Sequence, residues 1–242
     1  MYESGVMAVA AGRNFSLILK QDGSVWGTGH NEYGELGDGT TYAYRKGFVQ
    51  AKGLSGNVVA ITACGEHSLV LKDDGSAWSA GRNTKGQLGY KTQTRYSSTF
   101  MKVMQSNTEP VSDVTVVAAG YYFSVVLKAD GTLWGAGGNE NNQMSENKNE
   151  FGRNILTRIT TDVHTVAAGG YSLFILKKDG SFWARGGNTY GQLGDGTRSN
   201  GGKITAGTAF IPIKSFTAPG TGARDVTTRR WPGHTSLAPW KN

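Results

Sequence analysis

Few side chains in this sequence have the arrangement that catalytic groups usually have. His67 and Ser68 are adjacent, and a histidine beside a serine hydroxyl is a pair that nucleophilic catalysis uses. Adjacent residues on a strand point to opposite faces of a sheet, however, so the pair predicts no nucleophile–base contact. Asp73 and Asp74 could act as paired carboxylates, but Asp74 belongs to an Asp-Gly turn that the chain repeats. The sequence therefore predicts no catalytic residues, and we expect a protein that is not an enzyme.

Metal and cofactor sites are not indicated either. Cys64 is the only cysteine, which excludes an internal disulfide. The four histidines are His30, His67, His164 and His234, and their scattered positions match no pattern of zinc ligands. No glycine-rich segment has the Gly-Lys-Ser/Thr ending of a phosphate loop. We therefore expect no metal and no cofactor.

Composition favours a β-rich protein. The chain has 242 residues, of which 36 are glycine, and its hydrophobic content is 38%. That balance suits many short strands joined by tight turns better than a bundle of helices. No segment is long and apolar enough to cross a membrane, so we expect no membrane insertion.

The charge of the chain indicates its partners only weakly. The formal net charge of +7 is compatible with nucleic acid, anionic lipid or an acidic protein, but no run of five like charges occurs. We expect a protein partner, with nucleic acid as a weaker alternative. The first residues lack the basic and apolar regions of a secretory signal. The single cysteine is compatible with cytoplasm or nucleus, and the compartment stays unspecified.

One sequence pattern occurs four times. Each copy has a short apolar stretch, a second stretch that ends in Asp-Gly, and a third that carries a tryptophan. The tryptophans are Trp26, Trp78, Trp134 and Trp183, and the Asp-Gly pairs are Asp22-Gly23, Asp74-Gly75, Asp130-Gly131 and Asp179-Gly180. A period of about fifty residues with several short strands in each copy is typical of a β-propeller.

Each copy is predicted to fold as one blade, a four-stranded antiparallel meander. In the first copy we expect strands near residues 6–11, 15–20, 24–29 and 46–51, with helix nearly absent. Asp-Gly between two β-like stretches is the strongest short hairpin signal, because glycine supplies the positive φ of the primed turn. The tryptophans are predicted to lie mostly buried between neighbouring blades, where large aromatic rings contribute much packing area.

A loop with the pattern Asn-x-x-Gly-Gln-Leu-Gly follows the third strand in three copies. Its leucine is predicted to pin the loop to the blade. The third copy departs from the pattern, because residues 139–145 read NENNQMS and lack the glycines that the first copy has at Gly34 and Gly37. We expect this loop to be reshaped.

The combination of AAG, S-L-x-L-K-x-DG, a tryptophan and GQLGDGT is similar to the repeat of the regulator of chromosome condensation family. The resemblance covers residues 6 to about 216. It implies a propeller, which in that family usually has seven blades. It also implies several functions, since members of the family act as exchange factors for the Ran GTPase, as chromatin binders and as enzyme inhibitors.

Four repeats predict only part of such a ring. We expect residues 1–216 to contain blades at about 6–57, 58–113, 114–162 and 163–216, and residues 217–242 to be the degenerate start of a fifth repeat or a tail. The fold class is thus all-β, a propeller-type array that is an open arc or part of a larger ring. An open arc has an uncovered apolar blade face at each end, which favours packing on the tail or self-association.

The connections between strands predict where a partner binds. In an up-and-down blade, the first and third connections lie on one face of the propeller and the Asp-Gly turns on the other. The first connections vary between copies, and tyrosines and cations are interleaved in the third connections; tyrosine and arginine are enriched at interface hot spots. The predicted contact residues are Arg13, Tyr42, Tyr44, Arg45, Lys46, Tyr90, Lys91, Arg95, Tyr96, Tyr121 and Tyr122. Charge reversal at Arg45 and Arg95 is expected to weaken binding without lowering stability.

These observations predict a non-enzymatic propeller scaffold that binds another macromolecule through loops on one face. Two alternatives remain open. The resemblance implies a guanine-nucleotide exchange factor-like regulator of a small GTPase. A repeat array also suits an extracellular or virion-associated adhesion module.

Overall fold

The computed structural model describes residues 5–55, 57–90, 94–145, 154–198 and 211–212, which form four antiparallel sheets of four strands each. Sheet 1 contains β1 (Val6–Ala11), β2 (Phe15–Lys20), β3 (Val25–His30) and β4 (Tyr44–Gln50). Sheet 2 contains β5 (Val58–Cys64), β6 (His67–Lys72), β7 (Ala77–Arg82) and β8 (Tyr96–Lys102). Sheet 3 contains β9 (Val114–Ala119), β10 (Phe123–Lys128), β11 (Leu133–Gly137) and β12 (Thr157–Thr160). Sheet 4 contains β13 (Val163–Gly169), β14 (Ser172–Lys177), β15 (Phe182–Gly186) and β16 (Ile211–Pro212).

The fold is an all-β propeller array, as the repeats predict. Within each sheet the strands follow chain order, so each sheet is a meander. In sheet 1 every strand begins within two residues of its predicted position. No helix occurs in the described ranges, and so none there is long and apolar enough to span a membrane.

The second hairpin of each sheet closes through a hydrogen-bonded unit around the Asp-Gly turn. Gly23 adopts a φ of 76° and donates its N–H to the Lys20 carbonyl at 3.0 Å. The Asp22 carboxylate accepts from the Ser24 N–H at 2.9 Å and from the Ser24 hydroxyl at 2.6 Å. The Trp26 indole N–H then donates to the Ser24 hydroxyl at 2.9 Å. The same chain of bonds recurs at Asp74, Ser76 and Trp78, at Asp130, Thr132 and Trp134, and at Asp179, Ser181 and Trp183.

Apolar cores fill the spaces between successive sheets. Between sheets 1 and 2, Leu19 and Val25 meet Val70 and Phe100, which are all at most 2% exposed. Equivalent cores join sheets 2 and 3 and sheets 3 and 4. The first strands touch in succession, β1 with β5, β5 with β9 and β9 with β13. Burial of these aliphatic side chains is the main force that stacks the sheets.

The repeat tryptophans are partly buried at the edges of these cores. Trp78, Trp134 and Trp183 each pack against the buried residues of one core. The ammonium group of Lys20 lies 4.7 Å from the ring centroid of Trp26, so a cation covers the ring on its open side. The indole N–H of each tryptophan is held at the turn, which keeps the ring near the turn end of the sheet.

Two sets of predicted residues fall outside the described part of the chain. They are the expected fifth-repeat start or tail at 217–242 and the predicted contact residue Lys91. The last described pairing is in sheet 4, where Trp183 lies opposite Pro212.

Candidate functional site

The loop between the third and fourth strands is a rigid frame. In sheet 1, the Asn31 amide oxygen accepts from the Leu36 N–H at 3.0 Å, and the Asn31 amide nitrogen donates to Asp38 Oδ1 at 3.0 Å. Leu36 is fully buried and fastens the loop to the sheet. The Glu35 carboxylate accepts from the Tyr33 N–H at 3.0 Å. The loop therefore holds the backbone of Tyr33 in one position.

All four sheets carry this frame. The amide oxygens of Asn83, Asn139 and Asn188 accept from the N–H groups of Leu88, Met144 and Leu193. The glutamines Gln87, Gln143 and Gln192 accept from the N–H groups of Lys85, Asn141 and Tyr190. The frame thus presents Tyr33, Lys85, Asn141 and Tyr190 at equivalent places. The repeats keep the frame and vary the side chain it presents.

The prediction that the third loop is reshaped is wrong. Asn142 takes the place of the loop glycine with a φ of 56°, a left-handed conformation that asparagine tolerates better than most residues. Its N–H donates to the Asn139 carbonyl at 2.7 Å, as the Gly34 N–H does to the Asn31 carbonyl at 3.1 Å. Met144, at 9% exposed, replaces the buried leucine.

The first and third connections meet on one face, which we call the loop face. The Arg13 N–H donates to the Gly65 carbonyl at 2.8 Å, and the Tyr121 N–H donates to the Gly170 carbonyl at 2.7 Å, so first connections of neighbouring sheets touch. The Asp-Gly turns lie at the other ends of the same strands, where the Gln21 N–H donates to the Gly5 carbonyl at 2.8 Å.

Arg82, at the end of β7, links several connections of the loop face. Its guanidinium donates to Glu66 Oε2 at 2.5 Å and lies 4.9 Å from the ring of Tyr33 and 5.8 Å from the ring of Tyr122. The hydrogen bond with Glu66 raises the pKa of Arg82 above its usual value. Arg13 reaches the same carboxylate at 3.8 Å. A fixed positive charge therefore lies between two tyrosine rings.

A second aromatic group continues from Tyr122 into sheet 4. The Tyr121 and Tyr171 rings stack at 5.3 Å, and the Tyr122 and Tyr171 rings lie 6.2 Å apart. Burial raises the pKa of the Tyr171 phenol, and so do the neighbouring tyrosines and Glu140. We call Arg13, Tyr33, Glu66, Arg82, Tyr121, Tyr122 and Tyr171 the inner cluster, to which all four sheets contribute.

An open cleft of about 580 Å³ adjoins the inner cluster. Its walls include Lys85, Glu140 and Tyr190. The ammonium group of Lys85 lies 2.7 Å from Glu140 Oε1, and Tyr190 is 83% exposed. The cleft therefore combines apolar ring surface with charges of both signs, a composition suited to a protein surface.

Comparison with known proteins identifies the repeat. A family model described as the regulator of chromosome condensation (RCC1) repeat matches residues 7–35, 58–87 and 114–143, and a second model of the same description matches residues 74–127. These matches identify the repeated segments of this chain as RCC1 repeats. Human protein RCC2 is 35% identical over 133 residues, which cover 54% of this chain and 24% of that protein. A human RCC1-like G exchanging factor-like protein is 30% identical over 148 residues, 59% of this chain and 31% of that protein.

Two solved structures have a similar fold. The crystal structure of human WBSCR16 superposes with a TM-score of 0.71 at 26% identity, over 86% of this chain and 52% of that one. Prp20p from Saccharomyces cerevisiae, described together with its binding to Gsp1p and histones, has a TM-score of 0.70 at 22% identity, over 87% of this chain and 50% of that one. This chain therefore spans about half the length of these solved chains.

Several predicted contact residues are exposed at or just before the starts of β4 and β8, the fourth strands of sheets 1 and 2. Tyr42, Tyr44 and Tyr96 are 65%, 72% and 46% exposed, and Arg95 and Lys46 are also exposed. The Gly39 N–H donates to the Ser98 carbonyl at 2.9 Å, so the loop of sheet 1 lies against β8. We call Tyr42, Tyr44, Arg95 and Tyr96 the rim patch. The rim patch stays a predicted contact surface.

Two predicted contact residues have other roles in the structure. Tyr90 is only 5% exposed, so its side chain is packed inside sheet 2 and cannot be a surface contact. Arg45 donates to Asp38 Oδ2 through Nε at 2.8 Å and through Nη2 at 2.5 Å, and Asp38 is 4% exposed. Arg45 is therefore not the free loop charge that the sequence suggested. For that reason we now expect its reversal to lower stability, contrary to the expectation from the sequence.

The side chains of His67 and Ser68, the pair that suggested nucleophilic catalysis, bond to different partners. His67 Nε2 lies 3.0 Å from Ser124 Oγ, whereas the Ser68 hydroxyl donates to the Glu35 carbonyl at 2.6 Å. Complete burial lowers the pKa of His67 to about 4, so the imidazole is neutral at ordinary pH. Among the described residues, no group of three or more His, Cys, Asp or Glu could hold a metal ion.

Sequence reasoning included Arg13, Tyr121 and Tyr122 but missed Tyr33, Arg82, Lys85 and Tyr190. The sequence did contain a signal for three of them. Tyr33, Lys85 and Tyr190 occupy the one position that varies in a loop whose other positions repeat. Arg82 is the last residue of β7. The equivalent strands of sheets 3 and 4, β11 and β15, end one repeat position earlier, at Gly137 and Gly186. The role of Arg82 becomes visible only when sheets 1 to 3 are stacked.

Proposed function

We propose that this chain is a non-enzymatic scaffold that binds another protein through the loop face. The observation that carries the proposal is the inner cluster, in which tyrosines and arginines from all four sheets converge beside an open cleft. Tyrosine and arginine are the residues most enriched at interface hot spots. A rigid sheet array that presents variable side chains on repeated loop frames loses little entropy when a partner binds.

The inner cluster and the cleft are a better contact surface than the rim patch. The rings of Tyr33, Tyr121, Tyr122 and Tyr171 are already fixed by contacts with one another and with Arg82. In the rim patch, Tyr44 and Tyr96 protrude from β4 and β8 at the outer edges of their sheets. A preorganised surface near the centre of an interface contributes more binding energy than exposed side chains at its rim.

A small GTPase is the partner class that the comparisons favour. One relative at 30% identity is described as an RCC1-like G exchanging factor-like protein, and the description of Prp20p includes binding to Gsp1p and histones. We infer that this chain binds a small GTPase on the loop face. An exchange activity would require in addition that the bound loops open the nucleotide site of the GTPase.

The test uses the purified chain and a panel of purified small GTPases, each nucleotide-free and GDP-bound. Binding is measured by biolayer interferometry, and nucleotide release is followed with a fluorescent GDP. Binding without faster release supports a scaffold, and release at least tenfold faster supports an exchange factor. If no GTPase of the panel binds, the GTPase assignment is wrong and the partner belongs to another class.

A pair of matched variants locates the surface. Tyr190→Ala removes an 83% exposed ring from the cleft, and Tyr44→Ala removes a 72% exposed ring from the rim patch. We expect Tyr190→Ala to weaken partner binding about tenfold or more and Tyr44→Ala to leave it nearly unchanged. The reverse result would move the contact to the rim patch.

A further inference from the structure

One position at the end of the third strand carries an arginine in sheet 2 and no side chain in sheet 3. The two residues are Arg82 and Gly138, each directly after a glycine that all four repeats share. Their N–H groups both donate at 2.8 Å to the first connection of their own sheet, at the carbonyls of Glu66 and Tyr122. The two backbones are therefore equivalent, but only Arg82 places a cation on the loop face.

The surroundings of Gly138 correspond to those of Arg82. The Arg82 guanidinium lies 5.8 Å from the ring of Tyr122, which belongs to the first connection of the next sheet. The equivalent ring for Gly138 is Tyr171, and the centroids of the Tyr122 and Tyr171 rings lie 6.2 Å apart. Both rings line the cleft of about 580 Å³. Sheet 3 therefore offers aromatic walls without a guanidinium of its own.

An acidic side chain lies in the space that Gly138 leaves open. A Cβ atom on Gly138 would be 2.5 Å from Glu140 Oε2, so the carboxylate occupies the region where a side chain would begin. The other carboxylate oxygen, Oε1, lies 2.7 Å from the Lys85 ammonium group. Glu140 is also one of the groups that raise the pKa of the Tyr171 phenol, so its charge acts close to that ring. The cleft thus combines a carboxylate with the negatively polarised faces of tyrosine rings.

A buried hydrogen-bond acceptor lines the same cleft. The loop frame of sheet 3 presents Asn141, which is 3% exposed, whereas the neighbouring frames present the exposed side chains of Lys85 and Tyr190. Within the described part of the chain, Asn141 Oδ1 has no hydrogen-bond partner. A buried oxygen without a donor costs free energy, and a ligand with N–H groups would remove that cost. The small residue at the variable position leaves room for such a ligand between its larger neighbours.

The charges around the cleft leave Glu140 available to a cation. Arg82 is already paired with Glu66, so its charge is compensated. The ion pair of Lys85 and Glu140 is about half exposed, at 47% and 45%, and exposed pairs of this kind contribute little free energy. An incoming cation can therefore share the carboxylate with Lys85 or replace it. A guanidinium suits the site best, because it is planar, stacks on aromatic rings and donates several hydrogen bonds in a fixed geometry.

We propose that the cleft binds an arginine side chain of the partner protein. The guanidinium lies against the rings of Tyr122 and Tyr171. Its N–H groups donate to the Glu140 carboxylate and to Asn141 Oδ1. The chain makes the same combination internally, where Arg82 joins two tyrosine rings and a carboxylate. The inference rests on the proposed function and specifies the residue type by which the partner is anchored.

The test uses the full chain, labelled with ¹⁵N, and two small probes that differ in charge. N-acetyl-arginine amide and N-acetyl-citrulline amide have nearly the same shape, but only the first is a cation. Two-dimensional NMR follows the amide signals of Gly138 and Gly187 at the cleft and those of Gly23 and Gly75 on the opposite face. We expect the arginine probe to shift the cleft signals saturably, with a Kd in the millimolar range and an affinity at least about tenfold above that of the citrulline probe. No saturable shift at the cleft, or equal affinity for the two probes, overturns the proposal.

Variants with opposite effects separate an arginine from an acidic ligand. Glu140→Gln keeps the size of the side chain and is expected to weaken binding of the arginine probe about tenfold. Lys85→Ala frees the carboxylate and is expected to strengthen it about twofold. Glu32→Gln is the matched control, because Glu32 holds the same repeat position in sheet 1 and is 54% exposed, and it should leave the affinity unchanged. An N-acetyl-glutamate amide probe that binds the cleft more tightly than the arginine probe, and that Lys85→Ala weakens, would make the ligand anionic and overturn the proposal.

These measurements distinguish the arginine site from the proposed function. The probes report on the cleft without any partner, whereas the GTPase panel reports on the partner. A chain that binds a partner protein through the loop face but not the arginine probe retains the proposed function and contradicts the arginine site. A chain that binds the arginine probe but no GTPase of the panel retains the arginine site and contradicts the GTPase assignment.

Discussion

His67 shows how one residue can look catalytic in the sequence and be structural in the fold. It occupies the position that phenylalanine has in sheets 1 and 3, at Phe15 and Phe123, and all three side chains are at most 5% exposed. Its Nδ1 atom has no hydrogen-bond partner. A buried imidazole of this kind is stable only when it is neutral, because burial disfavours the charged form.

This burial predicts a pH dependence of stability that one substitution removes. The imidazole has a pKa of about 4 in the fold and about 6.5 when unfolded, so between these values the unfolded chain binds more protons. The free energy of unfolding should therefore fall by about 3 kcal/mol as pH drops from about 6.5 to about 4. In His67→Phe that part of the loss should be absent, as measured by urea unfolding at pH 7, 5.5 and 4.5.

The comparison isolates His67 because both proteins share their carboxylates. Asp74 and Asp130 also have lowered pKa values, mainly because of hydrogen bonds from Ser76 and Thr132. Protonation of these carboxylates in acid therefore also lowers the stability of the fold. That loss is common to the parent and to His67→Phe. Parallel pH profiles of the two proteins would show that His67 is not buried as a neutral group.

Arg45 and Arg95 are predicted to differ in their effect on stability, although they look alike in the sequence. Burial tends to raise the pKa of Asp38, but hydrogen bonds from Thr40 and Arg45 outweigh it and hold the pKa below its usual value. Arg45→Glu leaves that carboxylate facing another, and the free energy of unfolding should drop by about 2–3 kcal/mol. Arg95→Glu, at an exposed site, should change it by less than about 0.5 kcal/mol. Chemical denaturation measures both, and equal losses would contradict the assigned ion pair.

At the scale of the elements, the Asp-Gly turn is the feature that the sequence predicts best. The hairpin depends on adjacent residues, so its position is visible without tertiary contacts. The role of Ser24, which joins Asp22 to Trp26, is also local and could have been read from its recurrence as Ser76, Thr132 and Ser181.

Two turn glycines with the same conformation are predicted to tolerate alanine differently. Gly23 and Gly180 have φ values of 76° and 82°. A Cβ atom on Gly23 would lie 2.7 Å from the Asn57 nitrogen in the connection to sheet 2, whereas none of the described atoms lies within 4 Å of a Cβ on Gly180. Gly180→Ala should cost only the left-handed backbone strain, about 1–2 kcal/mol, and Gly23→Ala clearly more. Urea unfolding compares them, and equal costs would show that Gly23 is not packed against the next sheet.

The third loop shows where prediction from composition fails. The loss of two glycines suggested a changed backbone, yet Asn142 supports the same left-handed turn and Met144 the same burial. The frame depends on Asn139 and Gln143, which the third copy keeps. Glycine is therefore not required at this loop position, because asparagine adopts the same left-handed conformation.

At the scale of the whole molecule, the inner cluster depends on contacts that no single repeat contains. Tyr33, Arg82, Tyr122 and Tyr171 belong to four different sheets. The repeat predicts the blade and the face, because both follow from strand order. Which side chains meet there depends on how far each sheet turns relative to the next, and the sequence does not encode that locally.

The same stacking predicts that the described part of the loop face moves little when a partner binds. The loop frames are fixed by buried asparagines such as Asn31 and Asn83, and the sheets are fixed by the cores between them. Binding then requires few side chains to become ordered, which lowers its entropic cost. The loop face should therefore change little in structure when a partner binds.

Hydrogen–deuterium exchange of the chain, alone and saturated with a bound partner protein, tests this account most directly. Peptides that contain residues 31–36, 82–88, 120–123 and 188–193 lie on the loop face, and peptides that contain the turns at 20–24 and 72–76 lie on the opposite face. The account predicts slower exchange in the loop-face peptides and unchanged exchange in the Asp-Gly turns. Protection of the Asp-Gly turns with unchanged loop-face peptides would contradict it.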